Sequence, residues 1–180
     1  LWIFKAENNT IHHNWVYKNE MGMCLIEIEN HTISDNEVYN NTKGIGTYAA
    51  TVFDNRIWGN LIEDNTQLGL NMSVGWDNLI YGNYFISNGI HARTSSNNFW
   101  NNSDTGNYWD NYTGYDDDDD GIGDLPYNVS KNPLVRDFMP IWDDGPFQRY
   151  IDGDETGVDA QNWTWALKRP WCTGSGTKED

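Results

Sequence analysis

One short motif recurs along this chain at nearly constant spacing. Such self-similarity constrains a fold more tightly than any local propensity. Four segments align: Asn9-Thr10-Ile11-His12-His13-Asn14, Thr32-Ile33-Ser34-Asp35-Asn36, Asn55-Arg56-Ile57-Trp58-Gly59-Asn60 and Asn78-Leu79-Ile80-Tyr81-Gly82-Asn83. A fifth, Asn98-Phe99-Trp100-Asn101-Asn102, is degenerate. The apolar member falls at Ile11, Ile33, Ile57, Ile80 and Phe99, in steps of 22, 24, 23 and 19. The Asn three residues later falls at Asn14, Asn36, Asn60, Asn83 and Asn102. Five residues further on come Asn19, Asn41, Asn65 and Asn88. Each period holds about three short apolar runs, such as Trp15-Val16-Tyr17 and Met23 to Ile28 in the first and second repeats.

This is the pattern of one coil of a parallel β-helix. A single coil cannot bury its inward face, but stacked coils can. At the interstrand spacing of about 4.8 Å, equivalent residues lie above one another. The Ile positions and Phe99 then predict an inward apolar ladder. The Asn columns predict amide ladders at the corners, where Asn also tolerates a left-handed backbone. A leucine-rich repeat has a similar period, but it needs several Leu per unit. Here Asn is abundant, at 24 residues, and β-branched and aromatic residues fill the runs. The expected fold is all-β: a right-handed parallel β-helix of about four to five coils over residues 1–103. A loop-rich acidic capping segment (104–144) and a C-terminal tail without an assigned role (145–180) follow it.

The formal net charge of −16 argues against a nucleic-acid partner and for divalent cations. The acid is uneven: residues 1–100 carry ten acidic and five basic side chains, and residues 101–180 carry 17 and six. Asp116 to Asp120, followed by Gly121-Ile122-Gly123-Asp124, fits the first half of a calcium loop. Asp116, Asp118 and Asp120 would supply side-chain oxygens, Ile122 its carbonyl and Asp124 the next oxygen. Tyr127 stands where an EF-hand has its bidentate Glu, so Asp137 is the candidate for that ligand. A solvated acidic run is the plain alternative. The run from Asp152 to Asp159 is a weaker candidate.

Cys24 sits in the apolar run Met23 to Ile26 and reads as a core residue, though pairing with Cys172 stays open. No apolar run approaches membrane-span length. Neither is there a secretory signal pattern. Leu1 to Phe4 reads as mid-strand, so further chain is expected before it.

The coils resemble the repeats of NosD-like and carbohydrate-binding β-helix proteins. The ending resembles that of archaeal cell-surface members of this family. Its elements are Gly106-Asn107-Tyr108-Trp109, Asp120 to Asp124, Pro126-Tyr127 and Asp137-Phe138-Met139-Pro140. The resemblance implies export and a cell-surface or extracellular place. It implies little about activity, because binding, structural and enzymatic members share the fold. Copper handling of the NosD kind would want Met, Cys and His sets. Met21, Met23 and Cys24 are the nearest such cluster, and core packing accounts for them.

Eight Asn-x-Ser/Thr acceptors occur, at Asn8, Asn30, Asn40, Asn71, Asn101, Asn111, Asn128 and Asn162. They suit glycosylation of an exported protein, and equally turn chemistry. Trp58, Tyr81 and Trp100 share one repeat position, next to the Ile ladder. Alternation turns that position outward, as a platform for sugar rings or another protein. No carboxylate pair stands out on one face, so an enzyme is not indicated. The expected function is a calcium-stabilised, non-catalytic surface β-helix contacting glycans, other proteins or further copies of itself. The alternatives are a fragment of a polysaccharide lyase or hydrolase, and a NosD-like metal-handling protein.

Overall fold

The computed structural model describes residues 1–48, 52–94, 97–118, 120–131 and 133–142. The first coil contains β1 (Trp2–Glu7), β2 (Thr10–His12) and β3 (Trp15–Tyr17). The second contains β4 (Met21–Glu29), β5 (Thr32–Ser34) and β6 (Glu37–Tyr39). The third contains β7 (Lys43–Thr47), β8 (Val52–Phe53), β9 (Arg56–Trp58) and β10 (Leu61–Glu63). The fourth contains β11 (Leu68–Met72), β12 (Leu79–Tyr81) and β13 (Tyr84–Ile86), followed by β14 (Ala92–Thr94) and β15 (Tyr108–Trp109). A hairpin, β16 (Tyr127–Lys131) and β17 (Leu134–Asp137), comes last. No helix occurs among the described residues.

The strands stack into three parallel sheets. The first runs β1-β4-β7-β11-β14, with β8 also on β4; the second runs β12-β9-β5-β2; the third runs β15-β13-β10-β6-β3. This is the parallel β-solenoid that the period predicts. Ile11, Ile33, Ile57 and Ile80 stand in register through the second sheet. Val16, Val38, Ile62, Phe85 and Trp109 do so through the third. Met23, Ile45, Leu70 and Ala92 form the column of the first. Nearly all of these are fully buried. Each buried aliphatic side chain contributes about 1.5–3 kcal/mol, so stacking holds the coils together.

The corners repeat one device. The residue before each column Asn takes a left-handed backbone: His13, Asp35, Gly59 and Gly82 in one column, and Lys18, Asn40, Asp64 and Ser87 in another. The column Asn itself turns its amide inward. Asn36 Nδ2 and its backbone N–H both donate to Asn60 Oδ1, at 2.8 and 3.0 Å. Asn60 repeats this onto Asn83 and Asn83 onto Asn107. The left-handed duty expected of the column Asn therefore falls to its predecessor. The amide instead satisfies the buried backbone that the corner would otherwise orphan.

Two assignments in the last coil change. Asn98 accepts from Asn78, and Phe99 bridges Leu79. Phe99 is thus off the Ile ladder and 57% exposed, while Trp100 follows Ile80 inward and is 1% exposed. The next rung of the Asn14 column is Asn107, not Asn102. Residues 102–106 form an extra loop, closed by the Asn102 N–H on Thr105 O, that breaks the count. The third sheet accordingly runs past residue 103, to Tyr108 and Trp109.

The hairpin closes the core. Phe85, Trp109 and Tyr127 form a continuous ring stack, with centroid distances of 4.4 and 4.2 Å. Beside it, Asp137 Oδ2 accepts from the Asn107 backbone N–H at 2.7 Å, from Asn107 Nδ2 at 3.2 Å and from Trp109 Nε1 at 3.0 Å. Every rung of the Asn column passes donors forward. A carboxylate accepts and passes nothing on, so it ends the column without an orphan donor.

Candidate functional site

The acidic loop follows the last coil. Gly121 has φ +82°, a conformation open to glycine. The turn it makes folds Asp116 back onto the loop. Asp116 accepts from the Asp120 and Gly121 amides at 3.2 and 2.8 Å. Ligand oxygens of Asp116, Asp118 and Asp120 lie within 4.8 Å of one another. The nearby Asp120 carboxylate raises the Asp118 carboxyl above its usual range, with desolvation and the other acids adding to it. A cation would relieve that repulsion, and three hard oxygens suit Ca²⁺ or Mg²⁺. The triad could therefore hold a metal.

The other predicted ligands have partners of their own. Asp124 Oδ2 accepts from the Asp117 amide at 2.8 Å, across the loop. Ile122 bridges Ile141, fastening the loop to the chain after β17. Asp137, the candidate for the bidentate ligand, is fully buried on the Asn107 rung. Burial pushes its carboxyl up to about 6, against the amide and indole donors that pull it down. The run Asp152 to Asp159, Asn162, Cys172 and the tail lie outside the described residues.

The outward aromatic column is shorter than predicted. Trp58 and Tyr81 stack at 6.3 Å and 15° and are half-buried. Trp100 belongs to the core, because the register of its coil turns the neighbouring Phe99 outward instead. Similar stacks occur elsewhere, Tyr17 on Tyr39 at 5.2 Å and Phe53 on Trp76 at 5.3 Å. Cross-strand stacking on this solenoid is general, so Trp58 and Tyr81 are not singular. Among the acceptor asparagines, Asn8, Asn30 and Asn40 are exposed left-handed corner residues, which gives Asn a backbone reason to stand there. Asn71 is half-buried and accepts from the Ser73 amide at 3.2 Å; Asn101 accepts weakly from the Phe138 amide at 3.4 Å. Asn111 and Asn128 are exposed.

Three groupings escape a reading by motif. Glu7 and Glu29 stand in register on the first sheet, above the Phe53–Trp76 stack. His91 Nε2 meets Asp110 at 2.8 Å. Burial opposes ionisation of Asp110, but the His91 ring and the Ser87 amide outweigh it and hold the carboxyl below its usual range. His12 and His13, both exposed, bring their Nδ1 atoms to 2.5 Å with rings at 78°. Met23 and Cys24, by contrast, are buried at 0% and 2% exposure, and burial raises the Cys24 thiol. Soft sulfur ligands there are closed to solvent.

Residues 1–114 match the family described as "Periplasmic copper-binding protein (NosD)". The chain belongs to the NosD family. The matched span takes in all three sheets up to β15, so the repeat and the family coincide. A "Probable ABC transporter binding protein NosD" of Pseudomonas aeruginosa is 42% identical over 81 residues, covering 43% of this chain and 19% of that protein. A protein of the same description from Stutzerimonas stutzeri is 36% identical over 80 residues, covering 41% of this chain and 18% of its own length. The chain thus spans about a fifth of the curated NosD relatives it matches. No solved structure matches it. The NosD family is described as periplasmic, and no helix among the described residues is long and apolar enough to cross a membrane.

Proposed function

We propose that this chain is a segment of a non-catalytic, metal-handling NosD-type protein working outside the cytoplasm. The observation that carries the reading is the family match over the coils, residues 1–114. The stacked coils act as a rigid frame on which outward side chains keep fixed spacing. The Asp116–Asp118–Asp120 loop is the place for a structural Ca²⁺, with Asp124 at its edge. Copper would use nitrogen donors on the coils, because hard carboxylates alone select it poorly. Equilibrium dialysis against Cu²⁺ and against Ca²⁺ tests both parts. Saturable copper uptake is expected, and calcium should raise the melting temperature, since a ligand binding only the folded form must do so. Copper retention no greater than that of an unrelated acidic protein sinks the copper reading. A melting temperature indifferent to chelator sinks the calcium one.

A second reading, adhesion to glycans or to other surface proteins at the cell surface, would draw on the cross-strand ring stacks, Trp58–Tyr81 among them. A polysaccharide-cleaving reading would have to use Glu7 and Glu29, the in-register outward acids of the first sheet.

A further inference from the structure

Consecutive residues of a strand point to opposite faces, so adjacent histidines ordinarily cannot meet. Here they do. Ile11 is inward on the second sheet, which turns His12 outward at the end of β2. His13 then takes φ +54°, and the left-handed step swings its ring to the side of His12. The two Nδ1 atoms converge to 2.5 Å, with ring centroids 4.8 Å apart. At 2.5 Å two facing nitrogen lone pairs repel unless something sits between them. A cation bonded to both nitrogens at about 2.0–2.1 Å satisfies both lone pairs once the rings part slightly.

The rung beneath repeats the corner. Ser34 is in register with His12, and the His13 amide donates to Asp35 O at 3.2 Å, placing Asp35 directly under His13. Asp35 has φ +53°, the same left-handed step as His13. The later coils have Trp58-Gly59 and Tyr81-Gly82 at these positions, which offer no metal ligand. The nitrogen pair is therefore confined to one corner of the first coil. Both rings are exposed, so an ion can enter without any opening of the fold.

We propose that His12 and His13 form a two-nitrogen seat for a borderline divalent cation, Cu²⁺ foremost. Imidazole suits Cu²⁺, Ni²⁺ and Zn²⁺, and affinity along that series peaks at Cu²⁺. Calcium and magnesium prefer all-oxygen shells, which separates this seat from the Asp116–Asp118–Asp120 loop. The net charge of −16 raises the local concentration of any cation. Only the ranking of copper first rests on the function proposed above; the seat itself rests on geometry.

Titration with Cu²⁺, followed by electron paramagnetic resonance, tests it. The expected spectrum shows one tight copper with coupling to two nitrogens. His12→Gln and His13→Gln should each weaken binding by at least about 10- to 100-fold, the cost typical of losing even an outer-shell partner of a metal. Copper held equally well by the His12→Gln and His13→Gln proteins overturns the seat while leaving the metal-handling reading standing. No copper binding by the unaltered protein, with calcium binding retained, overturns both.

Discussion

Removing the carboxylate of Asp137 tests the idea that it ends the Asn column. In Asp137→Ala, two deeply buried donors lose their acceptor: the Asn107 backbone N–H and Trp109 Nε1. Asn107 Nδ2 is spared, because it also donates to Ile80 O and Trp100 O at 3.1 and 2.7 Å. Each buried orphan costs about 1–3 kcal/mol, so the loss is about 2–6 kcal/mol while the carboxyl is protonated. Ionisation offsets part of this. Burial raises the Asp137 carboxyl from 3.8 to about 6 in the folded protein. The folded form therefore binds more protons than the unfolded form between those values. The group's contribution is fully present below the unfolded value and is lost as pH rises through about 6. Linkage makes that difference on the order of 1 kcal/mol between pH 5 and pH 7.5. Urea unfolding of both proteins at the two pH values is the assay. The deficit of Asp137→Ala should be clear at pH 5 and smaller at pH 7.5. A deficit below about 1 kcal/mol at pH 5, or one that grows with pH, refutes the reasoning. The calcium response should survive in this variant, because Asp137 lies outside the acidic triad.

Asn60→Ala should be costlier than an ordinary surface change. Its Nδ2 donates to Ile33 O, Trp58 O and Asn83 Oδ1, and its Oδ1 accepts from Asn36 twice. A loss of about 3–5 kcal/mol is expected by denaturant unfolding, and less than 1 kcal/mol would mean that the ladder is decorative. For the adhesive reading, Trp58→Ala should lower retention on a glycan array without altering the melting temperature. Unchanged retention removes the reason to single out the Trp58–Tyr81 stack.

The period carried most of the architecture. Asn36, Asn60 and Asn83 stand at matching positions because a stacked corner has one place where an amide serves its own coil and the next. Ile33, Ile57 and Ile80 do likewise because each coil presents one inward residue there. These are local rules applied repeatedly, so they show in a single chain. The last coil broke the reading where the loop at residues 102–106 intervenes. Asn102 fits the count, but Asn107 fits the hydrogen bonds. With the count lost, Trp100 read as an outward ring when it is a core one.

The repeat in the sequence was by itself enough for a parallel solenoid with amide corners and for an acidic turn after it. Only the tertiary structure decided which partners the carboxylates and imidazoles meet. Asp137 lies 30 residues from Asn107, and nothing local distinguishes a ladder terminus from a calcium ligand. His12 and His13 meet because one backbone step at His13 is left-handed. Periodicity reports which side chains stack; it does not report where a ladder must stop or where two neighbours are turned to the same side.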